Sequence, residues 1–187
     1  TVVAALCTPE FVTIIHVGDS RCYFLGTDGF AQVTKDHSLV GELVRQGEIS
    51  KEEAASHPRK HVILQALGTE ETVKSDTNTI EWDVGDVILL CSDGLTDHVH
   101  DARLEEVLRS DKTIKEKAAT LTDLANQAGG VDNITLALVQ LTDENHEANH
   151  QENDSVLKNG SSPSSEKHSQ TNIDGIGESS PAEGKSR

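Results

Sequence analysis

The sequence predicts an α+β layered domain. Strand patterns crowd the first 34 residues, helical periodicity dominates residues 101–130, and an isolated apolar run at 87–91 and a last strand pattern at 133–141 return the chain to a sheet. Strands and helices segregated in this way suit antiparallel sheets layered with helices better than alternating βαβ units.

Residues 1–7 and 10–17 are rich in β-branched and apolar residues and are separated by Thr8-Pro9, so they read as two neighbouring strands. Residues 21–26 and 30–34 flank the hairpin signal Thr27-Asp28-Gly29, and the opening reads as an antiparallel meander with Gly18 and Asp19 in its second turn. Leu39, Val40, Leu43 and Val44 share a helical face that Gly47 ends, and Ser50 with Glu53 forms a capping box for a short helix stopped by Pro58. The span 36–65 is therefore expected to be a surface insertion. Residues 72–82 alternate Val73, Ser75, Thr77 and Thr79 with polar neighbours, as an exposed strand does.

The run Asp86 to Asp97, DVILLCSDGLTD, drives five apolar residues into a Ser-Asp-Gly turn. A short unbroken apolar run is a strand buried on both faces, and it delivers Asp93 to the edge of the core. A carboxylate there either caps the next turn or holds a cation, because desolvating it unpaired is costly. Residues 101–109 form a short helix. Thr113 caps a longer one carrying Ile114, Ala118, Leu121, Ala125 and Ala128 at helical spacing, Gly129-Gly130 closes it, and 133–141 is a last strand apolar on both faces.

From Thr142 onward there is no aromatic residue, and only six of 46 residues are Ala, Val, Ile or Leu. That segment buries too little to offset its ordering entropy and is expected to be a disordered acidic and polar tail, leaving 1–141 as the folded part. A net charge of −16 opposes nucleic acid and anionic membrane as partners, both of which reward missing Lys and Arg clusters. No apolar run is long enough to span a bilayer. Cys7, Cys22 and Cys91 lack metal-ligand spacing and are expected to be reduced core residues of a cytoplasmic protein. The chain contains no Met and opens on a strand pattern, so a portion N-terminal to Thr1 is expected.

Three acidic turns share one character: Asp19 in HVGDSR, Asp93 with Asp97 in SDGLTD, and Asp132 in GGVDN, each beside Gly and each where an apolar strand begins or ends. Carboxylates converging from separate strand ends are hard oxygen donors of the kind Mg²⁺ or Mn²⁺ takes, with Gly leaving room for water. The alternative is three unrelated turn aspartates.

HVGDSR, a DHS segment followed by a helical insertion, ALG, CSDGLTD and GGVDNITL occur in this order over residues 1–141. The combination resembles the metal-dependent protein phosphatase 2C (PPM) family in its short bacterial form. The resemblance implies an αββα sandwich of two antiparallel sheets flanked by helices, incomplete at the N-terminus, and a manganese or magnesium centre of two core ions with a further third. It also implies hydrolysis of phosphoserine and phosphothreonine on protein substrates, and a cognate serine/threonine kinase. By the same resemblance Asp93 and Asp132 ligate the core pair. Asp19 ligates the third ion, shared with Asp93 and, as a further candidate, Asp97, and residues 39–64 form the flap beside the cleft. Two cations would polarise water and neutralise phosphate oxygens for in-line attack.

The family's bridging Asp-Gly, phosphate-binding Arg and acid His match nothing in this chain, so the fragment alone is expected to be poorly active or inactive. Gln65 stands where relatives commonly carry Arg, which weakens any phosphate contact there. His37, His57, His61 and His98 are read as surface or capping residues; Arg45, Arg59 and Lys60 are read as solvated charge, and Arg21 as a brace for Asp19. An aspartyl phosphatase of the haloacid dehalogenase type is disfavoured, because Cys91 stands where its nucleophilic carboxylate would be. A catalytically inactive, phosphoprotein-binding module is the other reading, and the acidic tail could serve as an interaction arm under either.

Overall fold

The computed structural model describes residues 1–143. All but the first two residues of the expected tail at 142–187 lie outside the described residues. Within the described part the chain builds β1 (Val2–Cys7), β2 (Phe11–Val17), β3 (Arg21–Gly26) and β4 (Gly29–Gln32), then α1 (Leu39–Gln46) and α2 (Lys51–Ala55). It continues through β5 (Asp76–Glu81), β6 (Val87–Cys91), α3 (Asp93–Thr96), α4 (Asp101–Arg109), α5 (Ile114–Gln127) and β7 (Leu136–Gln140).

The strands form two antiparallel sheets, one ordered β1-β2-β5 and the other β4-β3-β6-β7. The expected opening meander is therefore divided between them. The chain changes sheets at Gly18, whose φ of 107° belongs to the left-handed side and where a Cβ would fall 2.3 Å from Thr1 Cγ2. Only glycine fits that turn.

The alternation of β6 explains its unbroken apolar sequence. Val87, Leu89 and Cys91 pack with Leu95, Leu104, Leu108 and Leu121 of the helices, while Ile88 packs between the sheets with Val12, Ile14, Cys22 and Trp82. A strand with helices on one face and a second sheet on the other has no polar face to offer. The α+β class and the two antiparallel sheets agree with the sequence expectation. Among the described residues α3, α4 and α5 cover the four-stranded sheet, whereas Leu6, Phe11 and Ile15 of the three-stranded sheet are exposed.

Three local expectations are corrected. The strand expected over 72–82 is confined to Asp76–Glu81, where β2 supplies backbone partners. The last strand is Leu136–Gln140, half-buried because it lies at the edge of its sheet. Cys22 and Cys91 are buried free thiols, but Cys7 is exposed at the end of the edge strand β1.

The caps behave as the residue types dictate. Ser50 with Glu53 and Thr113 with Glu116 each make a reciprocal capping box, and Gly47 ends α1 in a left-handed conformation. The insertion carrying α1 and α2 is closed at its base by the Ser38–Ile63 bridge, by Leu39 N donating to Val62 O at 2.9 Å and by Leu64 N donating to His37 O at 2.7 Å.

Candidate metal centre

Strand register gathers the acidic turns. Arg21 of β3, Cys91 of β6 and Leu136 of β7 form one row across the four-stranded sheet, since Arg21 pairs Cys91 and Cys91 pairs Leu136. Asp19 lies two residues before that row, Asp93 two residues after it and Asp132 four before it, so all three turns leave the same end of the sheet.

Asp93 opens α3 immediately beyond the buried strand. The next residue, Gly94, presses on the Asp132–Asn133 backbone: a Cβ at position 94 would lie 2.5 Å from Asn133 O and 3.5 Å from Asp132 C. Ser92 fastens the same junction. Its Oγ donates to Asn133 O at 3.0 Å and accepts from Thr135 N at 3.0 Å, and its backbone N donates to Thr135 O at 2.9 Å. Asp132 Oδ1 accepts from the backbone N of Asn133 at 2.6 Å, which orients that carboxylate from its own turn.

Asp19 is coupled electrostatically to Asp93. Burial pushes its carboxyl above the usual carboxylate range, the charge of Asp93 adds to that, and Asp36 contributes a further increment against an opposing backbone hydrogen bond. Like charges collected at a sheet end with hard oxygen donors fit a divalent cation by donor chemistry, because the cation relieves the repulsion that the fold imposes.

Asp97 is engaged differently. Its carboxylate lies 3.3 Å from Lys60 Nζ and 3.6 Å from His61 Nδ1, both from the flap. Lys60, expected to be solvated, is thus paired. Arg21 does not brace Asp19: its Nε lies 3.0 Å from both carboxylate oxygens of Asp36 and its Nη2 2.7 Å from Oδ2. Arg21 Nη1 also donates to Tyr23 Oη at 3.1 Å, and Tyr23 donates to Asp101 Oδ1 at 3.0 Å, tying the turn to α4. A planar fork satisfies a carboxylate bidentately, and the DHS aspartate is the one within its reach. Arg45 pairs with Glu42 along α1 and donates to Asp36 O at 3.1 Å.

His57 keeps the expected capping role, accepting from Arg59 N at 3.1 Å. His37 does not. It is buried and stacks on buried His16 with ring centroids 4.7 Å apart, and its Nε2 lies 3.4 Å from Asp76 Oδ2. One ligand atom from each of His16, His37 and Asp76 falls within 4.8 Å of the others. The group escaped sequence reasoning because its members sit in three separate segments. Only the pairing of β2 with β5, which sets His16 opposite Asp76, brings them together.

A family model described as Stage II sporulation protein E (SpoIIE) matches residues 43–157. The serine/threonine phosphatase stp of Listeria innocua is 51% identical over 140 residues, covering 75% of this chain and 56% of that protein. The structure of the S. agalactiae serine/threonine phosphatase superposes with a TM-score of 0.70 at 40% identity, covering 74% of this chain and 57% of that one. This chain belongs to the protein phosphatase 2C family. Another family structure is the catalytic domain of the phosphatase PstP in complex with two manganese ions, with a TM-score of 0.67, 35% identity, and coverage of 75% and 58%. The chain spans about half the length of the curated relatives it matches. The part matched by the family model includes Asp93, Asp97 and Asp132. No helix among the described residues is long and apolar enough to cross a membrane.

Proposed function

We propose that this chain carries part of the divalent-cation centre of a protein-serine/threonine phosphatase, with Asp93 and Asp132 as ligands of the core ions and Asp19 as ligand of a further one. The observation that supports the reading is the contact of Gly94 with the Asp132–Asn133 backbone, which brings together the two turns that carry these carboxylates. Asp97 is assigned as a flap anchor first and a shared ligand second, since Lys60 and His61 already face it.

Bound there, Mn²⁺ or Mg²⁺ supplies Lewis acidity toward water and toward the phosphoryl oxygens. The carboxylates fix where that charge sits, Ser92 and Gly94 fix the carboxylates, and the Arg21–Asp36 pair holds the start of β3 against α4 through Tyr23. No nucleophilic side chain is needed, because a polarised water in line with the leaving oxygen suffices for phosphoryl transfer. The substrates are phosphoserine and phosphothreonine on proteins placed in the cytoplasm by a cognate kinase, a setting that suits the free thiols of Cys22 and Cys91. Residues 1–141 alone turn over substrate poorly, as three carboxylates leave a two-ion site short of ligands.

The test is manganese-dependent hydrolysis of a phosphothreonine peptide by the full-length protein and its Asp93→Asn variant. Loss of turnover by at least a hundredfold in the variant supports the reading. Undiminished turnover rejects it, and phosphopeptide binding without turnover in the wild type assigns the protein to a binding role.

A further inference from the structure

Three hydrogen bonds and one close carboxylate contact converge on His37. Its backbone N donates to Gly18 O at 2.9 Å, and its ring Nδ1 accepts from Gly18 N at 3.2 Å. Its backbone O accepts from Leu64 N at 2.7 Å, and its Nε2 faces Asp76 Oδ2 at 3.4 Å. A ring that accepts at Nδ1 carries its proton on Nε2, so the bonding fixes the tautomer. His16 closes the other face of the ring and donates from Nε2 to Lys35 O at 2.9 Å.

These partners lie in three different places. Gly18 precedes Asp19, Leu64 is where the flap returns, and Asp76 starts β5. His37 itself precedes the Ser38–Ile63 bridge, so both ends of the flap meet at this residue. The same hydrogen bonds oppose a cation at the cluster. Ligation through Nε2 would displace its proton while Nδ1 still accepts from an amide, whereas a ligating histidine donates from its second nitrogen.

We propose that His37 is a positioning residue that couples the flap to the Gly18–Asp19 turn, so that the seating of the flap and the aim of the Asp19 carboxylate are set together. This rests on the assignment of Asp19 to a cation and deepens it. Paired bonds to the amide and carbonyl of one residue hold that peptide segment in both directions, at a turn whose glycine adopts a left-handed φ. By reciprocity, a cation that orders the turn also orders the base of the flap.

The test uses amide hydrogen exchange on the full-length protein with and without manganese, in a Lys60→Ala, His61→Ala background that removes both contacts between the flap and Asp97. Manganese is expected to slow exchange at least fivefold at residues 18–19 and at 62–64 together. Protection of the turn without the flap base overturns the coupling. Two variants then assign it to the ring. His37→Asn retains an acceptor near Nδ1 and is expected to keep both protections, whereas His37→Gln retains a group near Nε2 only and is expected to lose the flap protection and weaken manganese binding about tenfold. Equal behaviour of the two variants overturns the assignment, as does stoichiometric zinc that both abolish. None of these readouts needs turnover, so an inactive protein that still shows coupled protection fails the phosphatase reading and not this one.

Discussion

Lys60 Nζ lies 3.3 Å from Asp97 Oδ1, and His61 Nδ1 lies 3.6 Å from the other oxygen of the same carboxylate. The flap is thereby latched to the residue that ends α3, four positions after the carboxylate assigned to the core ions. Both partners of the Lys60 pair are about 30% exposed, at 29% and 31%, so the latch contributes no more than about 1 kcal/mol after solvent screening. Lys60→Ala is accordingly expected to leave the thermal midpoint nearly unchanged while speeding limited proteolysis within residues 47–60. An unchanged cleavage pattern would show that the pair does not hold the flap.

Gly94 tests the junction itself. Gly94→Ala places a methyl 2.5 Å from a backbone oxygen that cannot rotate away, which is expected to destabilise the protein by about 1–3 kcal/mol and to weaken manganese binding as the two turns separate. Denaturant unfolding and a manganese titration report the two effects. A variant of wild-type stability and affinity would mean the junction yields freely.

The Arg21–Asp36 pair is partly buried, with side-chain exposures of 28% and 12%. Burial alone would lower the proton affinity of Arg21, but the hydrogen bonds and charge of Asp36 raise it on balance, so the guanidinium stays charged. Arg21→Ala leaves the Asp36 carboxylate with only the hydrogen bond that Gln32 Nε2 donates to its Oδ1 at 2.8 Å and is expected to cost about 2–4 kcal/mol, discounted from a fully buried pair. Arg21→Lys keeps the charge without the fork and should recover part of the loss. Equal costs for the two variants would show that charge, and not bidentate geometry, is absent from the balance.

Burial pushes the Cys22 and Cys91 thiols up to about 12. Their folded values lie above the unfolded thiol range, so the neutral forms stabilise the fold fully below about pH 8.5 and lose that contribution as pH rises toward 12. Burial displaces the Tyr23 hydroxyl in the same direction. Stability is expected to fall from pH 9 upward, and at pH 8 a thiol reagent should titrate Cys7 alone until denaturant exposes the other two. Rapid reaction of all three in the native protein would contradict the packing.

What the sequence made legible was whatever is recorded locally or by periodicity. The apolar run before Asp93 announced a strand buried on both faces, and the capping box at Ser50 and the cap at Thr113 form where those residues stand. Partners fixed by long-range register were not legible. Nothing local says that Arg21 reaches Asp36 and not Asp19, or that His37 is buried against His16 and Asp76. The division of the opening strands between two sheets follows from β2 pairing with β5 and β3 with β6, long-range partners that the turn sequence does not announce. The acidic turns were legible individually; their common end of the sheet follows from the row through Arg21, Cys91 and Leu136.

The most direct measurement is calorimetric titration of manganese into the full-length protein and its Asp93→Asn, Asp132→Asn and doubly substituted variants. Carboxylates serving one centre should each cost at least tenfold in affinity for the same ions, with the double variant losing markedly less than the product of the two single losses. If either single variant binds manganese as the wild type does, or if the two losses simply multiply, Asp93 and Asp132 do not share a centre.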